Sequence, residues 1–364
     1  MTVRALLQSL ERMLPAAERP QMSGGESRAL DVEVTGVTYD SRKAGRGSVF
    51  VALRGLKADG TAFAPQAIAN GAAAVVAERG PDASVPVSWV IVRDARLALA
   101  LLAAEFYGHP SHRMTVVGIT GTNGKTTTSY ILAAIFEAAG VRCGLMGTVA
   151  YRIGQKQVEA TRTTPEAPDV QAMLRQMADE GCGACVMEVS SHALALRRVD
   201  GIRFAAGVFT NLTRDHLDFH ADMEDYFAAK RRLFAMLPDG APAIVNLDDP
   251  RGATLADSVT RPVTYAIARP ADVTPGPLSF SLAGLTFEVR TPGATVHIRS
   301  RLVGRPNVYN ILAAVAAAIA LGRYLRLRQQ IPDEREQGQR AIGLRQVGGG
   351  AGILRLLVIA AQRK

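Results

Sequence analysis

The sequence predicts an α/β protein in which a small N-terminal α/β domain, residues 1–108, precedes a central domain, residues 109–322, whose mostly parallel sheet is flanked by helices. Three observations carry this prediction. Apolar strand-like stretches alternate with helical ones from 115 to 246, the pattern of a parallel sheet covered by helices. A glycine-rich turn, Gly118-Ile-Thr-Gly-Thr-Asn-Gly-Lys125-Thr-Thr-Thr128, joins one such strand to a helix. A chain of 364 residues also exceeds what one ordinary core organises.

The first elements follow in order. Val3, Leu6, Leu7, Leu10 and Leu14 recur at helical spacing, so 1–14 is a short amphipathic helix. Residues 32–37, 48–53, 73–77 and 88–92 are short apolar runs parted by Gly, Pro and Asp, which predicts strands and turns. A helix over 95–107 closes the block, and Gly108-His-Pro-Ser111 stops it, because Gly and Pro neither extend helices nor favour strands.

The central block opens with a strand at 115–120, the glycine-rich turn, and a helix over 126–139 ended by Gly140. Strands at 184–189, 205–209 and 243–246 alternate with helices at 168–180 and 223–237. Residues 278–303 alternate apolar and polar (Leu285, Phe287, Val289; Val296, Ile298), which predicts antiparallel strands on the sheet margin. An alanine-rich helix covers 307–321. From Arg323 the texture is basic and aperiodic, and 323–364 is expected to be a disordered tail.

Composition excludes several classes. No apolar run approaches the ~20 residues that span a bilayer, so membrane insertion is not expected. Arg4, Glu11 and Arg12 break up the N-terminus, which therefore lacks the plan of a secretory leader, and the cytoplasm is the expected compartment. The net charge of +9 is concentrated after residue 322, where nine basic residues face three acidic ones, and the single aromatic among them, Tyr324, falls short of the interleaving that single-strand binding would require. No nucleic-acid partner is expected. Cys143, Cys182 and Cys185 are an odd set; Cys182-Gly-Ala-Cys185 has redox or half-zinc spacing but no second pair, and buried thiols are expected.

Three constellations carry chemistry. In the turn, backbone N–H groups at a helix N-terminus cradle phosphate, Lys125 brings a mobile charge, and the Thr126 hydroxyl is placed to ligate Mg²⁺. The spacing departs from the eight-residue form, since Gly118 precedes Gly124 by one residue too many. Met187-Glu-Val-Ser-Ser-His192 ends a strand, where ligands of parallel sheets gather. Glu188 inside it needs a partner, either a metal ion bridging phosphates or a buried ion pair. Asn211-Leu-Thr-Arg-Asp215-His216-Leu-Asp-Phe-His220 follows another strand end and reads as a polar site. Tyr226 and Lys230 share a helix face, and by pattern alone Lys230 is a surface lysine.

Together these segments resemble the Mur ligases. The resemblance spans roughly residues 20–322 and rests on Tyr39-Asp-Ser41-Arg, Gly55-Leu-Lys-Ala-Asp-Gly60, Gly121-Thr-Asn-Gly-Lys-Thr-Thr127, Thr163-Thr-Pro-Glu-Ala-Pro168, Met187-Glu-Val-Ser-Ser-His-Ala-Leu194, the 210–220 segment, Tyr226-Phe-Ala-Ala-Lys230 and Gly304-Arg-Pro-Asn-Val-Tyr-Asn310. The nucleotide loop is shared with folylpolyglutamate synthases. The Thr-Thr-Pro and Glu-Val-Ser-Ser-His segments point to the branch that adds meso-diaminopimelate or L-lysine to UDP-N-acetylmuramoyl-L-alanyl-D-glutamate.

The resemblance implies an ATP-dependent amide ligase acting through an acyl phosphate, with ATP and Mg²⁺ as cofactors and the protein a monomer. It implies that Tyr39, Ser41, Leu56, Lys57 and Ala58 of an N-terminal UDP-binding domain hold the UDP group. Gly121, Thr122, Asn123, Gly124, Lys125, Thr126 and Thr127 would hold ATP phosphates, with Asn307 and Asn310 near the adenine. Thr163, Thr164, Ser190 and Arg198 would contact the muramoyl-dipeptide; Leu196 stands where some relatives carry a polar contact. Thr126, Glu188, His216 and a carbamylated Lys230 would hold Mg²⁺, and Lys125, Glu188, His216 and Lys230 would be the catalytic set. The likeness stops near Gly322, so a C-terminal Rossmann-like domain is expected to be missing, with a frameshift or premature stop as the expected cause. Two outcomes compete: a ligase, or a fragment that binds UDP-precursor and ATP without turnover, the expected outcome for this polypeptide because the amine-binding and domain-closure surfaces are expected to be absent.

Overall fold

The computed structural model describes residues 1–23, 30–55, 59–322 and the backbone of 356–362. The chain divides into two compact units, one of Met1–His112, Pro165–Gln176 and Ala195–Ile202, the other of Arg113–Thr164, Met177–Leu194 and Arg203–Lys364. The first segment of the first unit ends at His112. Residues 165–176 and 195–202, which the sequence places in the central domain, belong to the first unit.

In the first unit, α1 (Val3–Met13) starts at Thr2, whose hydroxyl accepts the Ala5 N–H at 3.2 Å, an N-cap that supplies one missing helix partner. Its sheet contains β1 (Gln21–Ser23), β2 (Gly36–Thr38), β3 (Ser48–Val51), β4 (Ala74–Ala77) and β5 (Ser88–Ile91), in the order β1-β5-β4-β3-β2. All pairings are parallel except β1 with β5. Successive side chains point to opposite faces. Val49, Val51, Ala74 and Val76 meet α1 and α3 (Ala95–Phe106), while Phe50, Ala52, Val75 and Trp89 meet α2 (Ala64–Ala69). Residues 32–35, expected as strand, instead bond to the N-terminus and to Gly47 (Val3 N to Val32 O at 3.0 Å, Val34 N to Met1 O at 2.9 Å, Thr35 N to Gly47 O at 3.2 Å).

The second unit holds β6 (Thr115–Thr120), α4 (Lys125–Ala138), β7 (Cys143–Met146), β8 (Ala150–Ile153), β9 (Lys156–Glu159), α5 (Ala167–Asp179, begun in the first unit), β10 (Ala184–Glu188), α6 (Ser191–Ala195), β11 (Ala206–Phe209), α7 (Met223–Ala235), β12 (Ala243–Asn246), α8 (Pro250–Ser258) and β13 (Pro262–Tyr265). The strand order is β13-β12-β11-β6-β10-β7-β8-β9, parallel from β13 to β7 and antiparallel at β8 and β9. The chain leaves β6 toward β7 and β10 on one side and returns to β11 on the other. The turns after β6, β10 and β11 therefore open into one crevice, where such sheets bind ligands.

Alternation along β6 and β11 sets the two faces. Val117, Ile119, Ala206 and Val208 join one core with α4 and α9 (Arg305–Ala320). On the opposite face Gly118 and Gly207, adjacent in register, lie beneath Leu233 and Phe234 of α7. The alternating 278–303 stretch is a correction. It forms β15 (Ser279–Ser281), β16 (Gly284–Thr291) and β17 (Ala294–Ser300), which with β14 (Thr274–Pro275) and β18 (Leu356–Gln362) make a separate antiparallel sheet, not a margin of the parallel one. Its inward residues Leu285, Phe287, Val289, Val296 and Ile298 still enter the core under α9.

The tail, expected to be disordered over 323–364, departs from that at 356–362, where β18 pairs antiparallel with β17. Leu-Leu-Val-Ile is a strand-forming run that the composition of the tail as a whole hides. The rest of that span lies outside the described residues. The three cysteines are free and buried, and burial pushes the Cys143 thiol up to about 12, so it stays protonated. Among the described residues no helix is long and apolar enough to cross a membrane.

Candidate active site

The turn after β6 is built by glycine. Gly121 and Gly124 have φ of +143° and +86°, conformations that strain other residues. A Cβ on Gly121 would collide with Thr210 Oγ1, and one on Gly124 with Asn310 Oδ1. Gly118, by contrast, lies inside β6 and serves packing, which explains the extra residue in the motif: the turn begins at Gly121. Gly124 is the N-cap of α4, so Lys125, Thr126 and Thr127 form its first turn, where free N–H groups and the helix dipole favour anions.

The turn is clamped from the end of β11 by Thr210, Asn211 and Thr213, which open the polar segment read from the sequence but carry no individual role there. Asn211 accepts the Asn123 N–H at 2.9 Å and donates to Asn123 O at 3.1 Å. Thr210 Oγ1 donates to Asn123 O at 2.7 Å, and Thr122 N donates to Asn211 O at 2.8 Å. Thr122 Oγ1 accepts from Thr213 N at 3.0 Å and donates to Thr213 O at 3.2 Å. The signal was present in Thr210-Asn-Leu-Thr213, a run of side chains able to bond backbone at a strand end.

Glu188 is fully buried at the end of β10, and its partners among the described residues are hydroxyls and a backbone amide. Thr126 Oγ1 donates to it at 2.9 Å, Thr148 N at 3.0 Å and Thr148 Oγ1 at 3.1 Å. Thr148 was also missed; it follows β7, a strand too short to leave a periodic pattern. Thr163 shares a hydrogen bond with Thr148 at 3.2 Å. Thr164 is buried, donates to Glu188 O at 2.9 Å and accepts from Ser190 N at 3.2 Å, so its hydroxyl shapes the end of β10. Ser190 accepts from Ala193 N at 3.1 Å in front of α6.

Two lysines meet on one carbonyl. Lys125 Nζ donates to Gly121 O and to Thr122 O, each at 2.9 Å, and Lys230 Nζ donates to the same Gly121 O at 2.9 Å. Lys230 is 1% exposed, so the surface position suggested by pattern alone is wrong. The glycine seat on β6 and β11 lets α7 come close enough to drive it inward. Burial, and then the Lys125 charge, pull the Lys230 amine down to about 6. Burial also lowers Lys125, with Glu188 and Asp215 opposing. His216, at φ +53°, is exposed; its ring lies 5.0 Å edge-on from His192 and 6.0 Å from Tyr226.

From α9, Asn310 donates to Asn307 at 3.0 Å and accepts from Thr128 Oγ1 at 3.4 Å, while Asn307 donates to Val303 O at 2.8 Å. In the first unit, Ser41 donates to Gln66 Oε1 at 2.6 Å, and Tyr39 is half-buried beside it in sequence. Leu56, Lys57 and Ala58 lie outside the described residues. Arg198 pairs with Glu166 at 2.8 Å, and Arg96 approaches the other oxygen of that carboxylate at 3.9 Å. Leu196 is half-buried in the same unit.

The donor set around Glu188 is one of hard oxygens. Among the described residues no three His, Cys, Asp or Glu side chains group as a ready metal cage. Carboxylate and hydroxyl oxygens such as those of Glu188, Thr126 and Thr148 suit Mg²⁺, which takes one or two protein carboxylates and completes its shell with water and phosphate oxygens.

Two family models match the chain: the Mur ligase middle domain over residues 119–318 and the Mur ligase family catalytic domain over 33–107. The chain belongs to the Mur ligase family. It is 47% identical, over 87% of its length and 62% of the relative's, to the UDP-N-acetylmuramoyl-L-alanyl-D-glutamate--2,6-diaminopimelate ligase of Geobacter metallireducens. It is 45% identical to the UDP-N-acetylmuramyl-tripeptide synthetase of Roseiflexus sp., over 85% of this chain and 65% of that one. Among Mur ligase structures, one of a UDP-N-acetylmuramoyl-L-alanyl-D-glutamate--2,6-diaminopimelate ligase superposes with a TM-score of 0.74 at 28% identity, covering 95% of this chain and 69% of that one. MurF from Acinetobacter baumannii shares the fold, with a TM-score of 0.63 at 22% identity over 94% of this chain and 69% of that one. The chain spans about 60% of the length of the curated Mur ligase relatives it matches.

Proposed function

We propose that the chain is the precursor- and nucleotide-binding part of an ATP-dependent amide ligase that works in the cytoplasm. Its reaction would add meso-diaminopimelate to the D-glutamate γ-carboxylate of UDP-N-acetylmuramoyl-L-alanyl-D-glutamate. The observation that carries this reading is the meeting of Lys125 and Lys230 on Gly121 O while Thr126 of the same turn bonds Glu188. The names of relatives at 42–49% identity supply the substrate.

In this reading the α4 N-terminus receives the ATP phosphates, and Lys125 swings from the loop carbonyls to the transferring phosphoryl group. The substrate carboxylate oxygen attacks the γ-phosphorus and ADP leaves, giving an acyl phosphate. The amine of the amino acid then attacks the acyl carbon, phosphate departs and the amine proton is lost. Mg²⁺, when bound, would supply neutralisation of the charge that develops on the phosphoryl oxygens. Thr126, Glu188, His216 and Lys230 are the residues to hold it. An ammonium at Lys230 would repel the cation; a carbamate, formed when the neutral amine adds CO₂ and loses a proton, supplies oxygen ligands and negative charge.

Tyr39, Ser41 and the Leu56-Lys57-Ala58 segment serve the UDP end, and Arg198, Thr163 and Ser190 the dipeptide. Thr164 acts behind them by fixing Ser190, while Asn307 and Asn310 flank the adenine side of the turn. The test is product mass after incubation with MgATP, UDP-dipeptide and either diaminopimelate or L-lysine. The expected product is the diaminopimelate adduct. An adduct with lysine alone would move the chain to the lysine-adding branch, and absence of both with nucleotide bound would overturn turnover by this chain.

A further inference from the structure

Tyr226 belongs to none of the roles assigned above, yet it is fully buried and touches two of the residues that carry them. Its hydroxyl shares a hydrogen bond with Thr122 Oγ1 at 3.2 Å. With the Thr122 proton directed to Thr213 O, the phenol is the donor in that pair. Its ring covers Lys230 Nζ, which sits 4.3 Å from the centroid. Lys230 in turn donates to Gly121 O. The contacts close a circuit: Gly121 and Thr122, consecutive in the turn, are gripped by Lys230 and Tyr226, one helical turn apart on the same face of α7. The rings of His220, at 5.1 Å, and His216, at 6.0 Å, pack against Tyr226 and hold its rotamer.

We propose that Tyr226 is a positioning residue that ties the nucleotide turn to the carbamylation lysine, its hydroxyl holding the turn through Thr122 and its ring sheltering the Lys230 nitrogen where the carbamate forms. This rests on the reading of Lys230 given above. The chemistry is compatible with the circuit. A neutral amine that spends one N–H on Gly121 O keeps its lone pair for the carbon of CO₂. The carbamate nitrogen retains one N–H after the other proton leaves, so the bond to Gly121 O survives the modification. The ring, meanwhile, excludes water from one side of the nitrogen. Loss of the hydroxyl unties the turn, whereas loss of the ring also uncovers the nitrogen.

The test uses the whole chain as wild type, Tyr226→Phe and Tyr226→Leu, with ¹³C-bicarbonate. Two quantities are read separately: carbamate by ¹³C NMR, and MgADP affinity by calorimetry. Tyr226→Phe keeps the ring, so carbamate occupancy is expected within twofold of wild type while the Kd for MgADP rises roughly two- to tenfold, as loss of one buried hydrogen bond implies. Tyr226→Leu is expected to lose both, with carbamate down at least fivefold. In a Thr122→Val background, Tyr226→Phe should change MgADP affinity no further.

Unchanged MgADP affinity in Tyr226→Phe, or a further loss in the Thr122→Val background, overturns the proposal. Full carbamate in a folded Tyr226→Leu chain does the same, and if that variant does not fold the Phe arm decides alone. Absence of carbamate from the wild type at saturating bicarbonate and MgADP removes the reading of Lys230 itself, and this proposal with it.

Discussion

Gly118 on β6 and Gly207 on β11 are neighbours in register, and together they form the seat on which α7 rests. Added Cβ atoms would stand 2.9 Å from Leu233 Cδ1 at the first position and 3.1 Å from Phe234 Cε1 at the second. The closeness of that seat explains how a lysine three residues before Leu233 reaches a strand-end carbonyl from within the core. Gly118→Val is expected to cost about 1–3 kcal/mol through overpacking, read from urea denaturation midpoints. It should also weaken MgADP binding, because Lys230 moves with its helix. Unaltered stability and binding would mean that α7 is not seated there.

The pH dependence of stability tests Lys230 directly. Its amine falls from an ordinary 10.5 to about 6 in the fold, chiefly through burial. Between those values the unfolded chain binds a proton that the folded chain does not, so stability rises with pH across that window. The penalty is complete below about pH 6 and gone above about 10.5. Lys230→Met lacks it. In buffer free of CO₂ and Mg²⁺, the variant should exceed the wild type in stability most at pH 5 to 6, and the gap should close as pH rises toward 10. A constant gap would place Lys230 in water.

Glu188 is the residue through which a divalent ion is expected to act. Glu188→Gln keeps the shape and leaves an oxygen to accept the Thr148 N–H, so the fold should survive with a loss of about 1 kcal/mol. Calorimetry of ADP with and without Mg²⁺ should show a metal-enhanced affinity in the wild type that the variant lacks. Equal enhancement in both would remove Glu188 from the metal site.

The clamp by Asn211 predicts a local effect. Asn211→Ala removes both bonds to Asn123, and amide hydrogen exchange at Asn123 and Gly124 should quicken while the protection of β6 and β10 is unchanged. ADP affinity should fall roughly two- to tenfold. Exchange that leaves the turn as protected as before would show that Asn211 does not hold it.

The legible parts of this chain were those whose cause is local. The strand, turn and helix around Lys125, the apolar face of α1 and the long apolar helix α9 each follow from spacing within a few residues. The helix starts were displaced by a residue or two, as at Lys125 rather than Thr126, because the left-handed Gly124 rather than a side-chain cap begins α4. The illegible parts depend on residues far apart in sequence. Thr148 and Glu188 meet across 40 residues, Thr122 and Tyr226 across 104, and Thr128 and Asn310 across 182. No periodicity reveals such pairs. By sequence Gly118 reads as part of the phosphate motif, because glycine near a turn usually is; its packing role depends on the facing helix. The alternation over 278–303 gives these strands their faces but not their partners, so the separate sheet they enter is not visible in the sequence.

Phosphoryl transfer to a carboxylate leaves an isotopic trace, and that trace is the most direct test of the proposed reaction. UDP-dipeptide labelled with ¹⁸O in the D-glutamate γ-carboxylate, incubated with this chain, MgATP and diaminopimelate, should yield inorganic phosphate carrying one ¹⁸O per amide bond formed. Product amide accompanied by unlabelled phosphate would contradict an acyl-phosphate route at the site formed by Lys125, Glu188 and Lys230.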